Sequence, residues 1–219
     1  MPRIRSVRAK DQRGENIVKR ALIGGIGNVL LADDGVGPYV VRLLDSMYAF
    51  DGDVEIADLG TPALDLTHQI VGLHSLILVD CVASADEPPG TLLLYRNEDI
   101  LREVPAQRVD PHSPALSECL MTAAMLGASP EHVLLVGIVG KCYEPGEPLS
   151  AAVQESVGLA IEEILLDLHR LGFTFRKKAS PDEPGIWWSN VNVQSLSPRS
   201  GRYHRARGPL AVPPRNQLL

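Results

Sequence analysis

Three side chains stand where carboxylate or imidazole chemistry becomes possible. Asp34 lies in Ala32-Asp33-Asp34-Gly35-Val36-Gly37, which places two adjacent carboxylates at the predicted start of a helix. Capping that helix is the expected role of Asp33, because an anionic side chain at a helix start meets unpaired N–H groups and the positive end of the macrodipole. Asp80 closes the apolar run Leu76-Ile77-Leu78-Val79. It therefore falls at the C-terminal edge of a predicted central strand, where open α/β sheets build their ligand sites. A charge there needs a partner, either a ligand or the amides of a neighbouring loop, and both readings stand. His112 sits in Asp110-Pro111-His112-Ser113-Pro114, ahead of a helix whose positive end favours the neutral, metal-binding imidazole. The plain alternative is an exposed loop histidine. Of the other histidines, His68, His74, His132, His169 and His204 lie in predicted helices, at strand approaches or near the C-terminus. Cys81 follows Asp80 and is a formal candidate nucleophile with His112 as its base, although a small buried apolar residue is the expected reading.

The elements that position these residues alternate. Ala21 to Ile26 reads as a short buried strand, followed by the turn Gly25-Ile26-Gly27-Asn28 and a helix from about Val36, with Val36, Val40, Leu43, Leu44 and Met47 at helical spacing. The turn is a weak match to a nucleotide site, since the third glycine of the dinucleotide fingerprint is missing at its proper spacing and no P-loop lysine follows. Its glycines permit a tight turn and the close approach of another chain to the backbone. Val54 to Leu59, Ser75 to Val79, Thr91 to Tyr95 and Val133 to Val139 read as strands, and Leu64 to Val71 as a short helix. Ser113 and Pro114 open a helix that Gly127 ends, and Ser150 caps a long amphipathic helix that Gly172 stops. Strands alternating with helices predict a three-layer α/β domain with a largely parallel sheet. Residues 21–175 are expected to form this domain, residues 1–20 a basic extension, and residues 176–219, rich in Pro, Ser, Gly and Arg, a mostly disordered basic tail whose Trp187-Trp188 pair could dock on the body or on a partner.

Composition excludes several classes. No apolar run approaches the roughly 18 residues of a membrane span. The polar, basic N-terminus lacks the apolar core of a secretory signal, which leaves the cytoplasm as the expected location. Cys81, Cys119 and Cys142 are too few and too scattered for a disulfide framework or a metal knuckle. The net charge of −6 conceals a segregation, for residues 21–175 carry 6 basic and 23 acidic side chains, a net −17. Such a body repels nucleic acid and suits a basic peptide or a cation, and the charge equally serves solubility alone.

The run from Gly25 to Gly37, Gly-Ile-Gly-Asn-Val-Leu-Leu-Ala-Asp-Asp-Gly-Val-Gly, resembles the signature of the hydrogenase maturation proteases. Asp58-Leu59-Gly60-Thr61, the pair Val79-Asp80 and Pro111-His112 are similar to that family's later blocks, in the same order. The resemblance spans about residues 21–172. It implies a three-layer α/β/α sandwich of the phosphorylase/hydrolase-like kind, with a twisted, largely parallel (mixed) sheet. It further implies a cytoplasmic endopeptidase, aspartic-type by family classification, that removes the C-terminal extension of a nickel-iron hydrogenase large subunit precursor. Residue by residue, the family's two metal-binding carboxylates and histidine fall on Asp34, Asp80 and His112, the first being often Glu in the family. Gly25, Gly27, Asn28, Gly60 and Thr61 would contact substrate. The resemblance implies nickel carried by the substrate as the recognition element, replaceable by zinc or cadmium in a crystal, and no organic cofactor, nucleic acid or membrane partner. Two other readings compete, namely a Cys81-dependent peptidase and a non-catalytic nickel carrier.

Overall fold

Ala21–Ile26 (β1) is buried along its whole length, as a strand enclosed on both faces must be. In the computed structural model, which describes residues 20–61, 65–97, 100, 116–186, 188 and 203–204, it is followed by a 3-10 turn at Ala32–Gly35 and by α1 at Val36–Met47. Tyr48–Phe50 (β2), Val54–Gly60 (β3), Asp65–Ile70 (α2), Ser75–Val82 (β4) and Leu92–Arg96 (β5) come next. Leu116–Met125 (α3), His132–Val139 (β6), Ala151–Arg170 (α4), Phe175–Lys177 (β7) and Tyr203–His204 (β8) complete the order. The six-stranded sheet runs β3-β1-β4-β6-β5-β8, and β2 pairs β7 in a separate ribbon. β3, β1, β4 and β6 are mutually parallel, whereas β5 lies antiparallel to β6.

Alternate side chains along each strand sort into two cores. Ile23, Ile77, Val79, Val136 and Ile138 face α1 and α4, where Val40, Leu43, Leu44, Val153, Val157 and Ile164 are buried. Leu22, Leu76, Leu78, Val133 and Leu135 face α2 and α3, through Leu66, Ile70, Leu116, Leu120 and Ala123. Helices on both faces of a mostly parallel sheet make the three-layer sandwich read from the sequence. Leu44 and Leu78 are fully buried in these layers, so truncating either to Ala removes roughly 2–5 kcal/mol. No described helix is long and apolar enough to cross a membrane.

The chain departs from the sequence reading after Phe175. Residues 175–177 pair antiparallel with 48–50, and the Phe175 ring packs on Tyr48 and Phe50 at centroid separations of 6.1 and 6.0 Å. The N–H groups of Lys178 and Asp182 donate to the carbonyls of Met47 and Ser46 at 2.8 and 2.9 Å, and Ile186 packs against the core. Tyr203–His204 adds a short parallel pairing at β5. The expected tail therefore contains ordered segments, because three-residue strands carry too little alternation to be read from sequence. The ends of the expected extensions, residues 1–19 and 205–219, lie outside the described residues.

Candidate functional site

Strand register brings the candidate residues to one edge. Gly25 lies opposite Val79, so Asp80 is level with Ile26, the last residue of β1, while Ile26 pairs with Gly60 on the other side; β4 itself runs on past the expected end to Val82, which leaves Asp80 inside the strand. A register shift after Gly25 accommodates that last pairing, and the Gly27 N–H donates to the Gly60 carbonyl at 2.8 Å. The C-terminal ends of β3, β1 and β4 are thus tied together, with exposed Thr61 just beyond.

The loop after β1 then folds back on its own strand. Gly27 has φ +139, and a Cβ there would overlap the carbonyl oxygen of Asp34. A Cβ at Gly25 would strike the Gly37 carbonyl, and one at Gly37 would strike the carbonyls of Ile26 and Val79. The close approach that these glycines permit is therefore made by this chain's own backbone. This packing sets the Asp34 carboxylate against the loop, where its Oδ2 accepts the Asn28 N–H at 2.8 Å. Asn28 in turn braces the loop, its Oδ1 accepting the Leu30 N–H at 3.0 Å.

Asp80 is only 6% exposed. It alternates with Leu76, Leu78 and Val82, on the face of β4 covered by α2 and α3, whereas Cys81 points to the α1 and α4 face. The Cys81 thiol donates to the Tyr143 hydroxyl at 3.6 Å. Burial is the largest cause pushing the thiol up to about 12; the Tyr143 bond opposes the shift, and the charges of Asp80, Asp34 and Asp33 add to it. Tyr143 is raised as well, by burial first and then by Cys81, Asp34 and Asp33. A thiol raised in this way is protonated at neutral pH, the opposite of the lowered thiols that serve as nucleophiles. Gly37, just after the acidic turn, packs against the carbonyls of Ile26 and Val79, which sets that turn beside the strand position that precedes Asp80.

Asp33 does not cap the helix that follows it, contrary to the sequence reading. Its carboxylate is fully buried and accepts the N–H groups of Lys141, Cys142 and Ser150 at 2.8, 2.9 and 2.6 Å, together with the Ser150 hydroxyl at 2.9 Å. The Asp33 N–H donates to the Cys142 carbonyl at 3.0 Å. Asp33 thereby pins the 141–150 segment beside the candidate site. Ser150 occupies the N-cap position of α4, but it spends its hydroxyl on Asp33 and makes no side-chain cap.

The structure thus brings together Asp34, Asp80, Gly25, Gly27, Asn28 and Gly60. His112 lies outside the described residues, as do Ser113 and Pro114. Two carboxylates at one edge of an acidic body can take a divalent cation or activate a water molecule, and with one imidazole they make an O, O, N donor set suited to borderline ions. Sequence reading missed the Asp33 anchor, whose partners lie more than a hundred residues away. It also missed a second cluster, His74, Glu131 and His132, at the opposite edge of the sheet.

Comparisons with known proteins converge on one family. The hydrogenase maturation protease family model matches residues 38–167, a span that begins just after Asp34 and contains Asp80 and position 112. The Hydrogenase 2 maturation protease of Escherichia coli (strain K12) is 32% identical over 156 residues, covering 70% of this chain and 93% of the relative. The hydrogenase expression/formation protein HupD of Thiocapsa roseopersicina is 31% identical over 184 residues, 83% of this chain and 82% of that one. Among solved structures, the hydrogenase maturating endopeptidase HybD from E. coli superposes with a TM-score of 0.69 at 29% identity, covering 73% of this chain and 98% of its own. The [NiFe] hydrogenase maturation protease HybD from Thermococcus kodakarensis gives 0.54 at 25% identity, covering 68% and 98%.

Proposed function

This chain belongs to the hydrogenase maturation protease family, and from that premise we propose that it is the cytoplasmic endopeptidase that trims the C-terminal extension of a nickel-iron hydrogenase large subunit precursor. The observation that supports the site assignment is the packing of the acidic turn, through Gly37, on the carbonyls of Ile26 and Val79, which sets Asp34 on the side of the sheet where β1 ends and Asp80 lies in the C-terminal half of β4.

Nickel enters as part of the substrate. Two carboxylates held together in a body of net −17 repel each other, and a divalent cation brought in by the precursor relieves that repulsion. The metal-loaded precursor is then preferred over the empty one by the difference in binding free energy, which is how cleavage would report completed metal insertion. His112, carried over from the family, supplies the third donor. Gly60 and Thr61 border the edge where an extended peptide would lie. For the chemical step, a carboxylate accepts the proton of a water molecule as it attacks the scissile carbonyl, then returns it to the leaving amine nitrogen.

The test is intact-mass measurement of a large subunit precursor after incubation with this protein, with and without nickel loaded. Loss of a C-terminal peptide only from the nickel-loaded form is expected. An unchanged mass together with nickel retained on this chain would favour a non-catalytic nickel carrier. Equal cleavage of both forms would remove nickel as the recognition element and leave the protease.

A further inference from the structure

The second cluster lies where parallel strands begin. His74 immediately precedes β4 and His132 opens β6, and the register pairs Ser75 with His132. The backbones of both histidines are fixed there, since His132 N–H donates to the His74 carbonyl at 3.1 Å and His74 N–H to the Arg20 carbonyl at 2.9 Å. Their rings stand edge to face with centroids 5.1 Å apart. Glu131 completes the group, its Oε2 lying 3.4 Å from His74 Nδ1. One donor atom from each of the three falls within 4.8 Å of the others. The distance from Asp80 along β4 is about 20 Å at the usual rise per residue, so no single ion reaches both places.

We propose that His74, Glu131 and His132 form a second metal site, for a divalent transition-metal ion such as zinc, which clips the amino ends of β4 and β6 together. The donor set is two imidazoles and one carboxylate, a combination that holds borderline divalent ions with one coordination position left open. In a tetrahedral site with bonds near 2 Å the donor atoms stand about 3.4 Å apart, which the His74–Glu131 pair already matches. The other two pairs, both to His132, lie within 4.8 Å and close by side-chain rotation of His132 and of Glu131, whose side chain is 67% exposed, while that of His74 is 11% exposed. The Phe173 ring, 6.5 Å from that of His74, forms an apolar wall on one side. Such a wall limits solvent access and strengthens ligation. The site is independent of the protease reading, since it shares no residue with the Asp34 and Asp80 edge.

The experiment is calorimetric titration of the full chain with Zn2+ at pH 7.5, in the Asp80→Ala background so that the other edge contributes as little as possible. One bound zinc is expected. Glu131→Gln, on an exposed side chain that leaves the fold intact, should weaken it about 10-fold, and His132→Gln about 100-fold. Replacing zinc with Co2+ should give the visible absorption of a four-coordinate ion, lost in His132→Gln. Absence of zinc uptake, or uptake unchanged by both Glu131→Gln and His132→Gln, would overturn the proposal and leave the cluster as a histidine–glutamate ion pair.

Discussion

Replacing Asp33 with Ala tests whether this residue is an anchor or a cap. A lost helix cap costs about 1 kcal/mol. The structure instead gives Asp33 a fully buried carboxylate that receives three backbone N–H groups and one hydroxyl. Hydrogen bonds to a charged group contribute about 1.5–3 kcal/mol each, and each donor left unsatisfied in the interior costs about 1–3 kcal/mol. These terms are not additive, because the 141–150 segment relaxes and admits water once the carboxylate is gone. We therefore expect Asp33→Ala to lose about 4 kcal/mol and Asp33→Asn, which keeps one oxygen acceptor, about 2 kcal/mol. By contrast Asp34→Ala, partly exposed and tied to the Asn28 N–H, should lose only about 1 kcal/mol. Urea unfolding followed by circular dichroism at pH 7 measures all three. With a slope near 2–3 kcal/mol per molar for a domain of this size, the Asp33→Ala midpoint should fall by about 1.5 M. A fall below about 0.4 M would refute the anchor and restore the capping role.

The other expectations concern the site and the chain end. Asp80→Ala should abolish precursor cleavage, and His112→Ala should abolish or strongly reduce it, each with little change in melting temperature; full activity in both would remove the site assignment. Gly27→Ala, at φ +139 and against the Asp34 carbonyl, should cost at least about 2 kcal/mol and displace the acidic turn, read as loss of both stability and cleavage. Cys81→Ala should retain cleavage, and iodoacetamide should modify Cys81 at pH 8 far more slowly than it modifies the unfolded chain. Its raised value also fixes a sign: the folded state keeps the proton that the unfolded state has released, so stability linked to Cys81 is complete below about 9 and is lost as pH climbs toward about 12. The urea midpoint should therefore fall less steeply between pH 9 and 11 in Cys81→Ala than in wild type. Truncation after Thr174, which removes β7 and the Phe175 packing, should lower the melting temperature by several degrees, and an unchanged value would show the ribbon to be dispensable.

What was legible in the sequence follows from the range of the forces involved. β1, the start of α1 at Val36 and the long buried face of α4 were readable because each is set by periodicity within a dozen residues. Asp34 and Asp80 were readable as candidates because each follows directly on such a local pattern, although β4 runs two residues past Asp80. Asp33 was misassigned because its partners lie 108 to 117 positions along the chain, and an Asp before a helix looks alike whether it caps or anchors. The antiparallel direction of β5 and the meeting of His74 with His132 depend on strand order, which no local pattern encodes.

The β2·β7 ribbon joins segments about 125 residues apart and closes the far ends of α1 and α4 onto each other. Closing a loop of that length from an unfolded chain costs about 4 kcal/mol in entropy, more than a three-residue pairing returns. The ribbon must therefore assemble late, after both helices have docked on the sheet and brought its strands within reach. An interaction formed after the rate-limiting step leaves the folding rate alone and slows unfolding. The ribbon is in this sense a latch on the lifetime of the native state, and strand-weakening changes at Phe50 or Phe175 should steepen the escape from it without delaying entry.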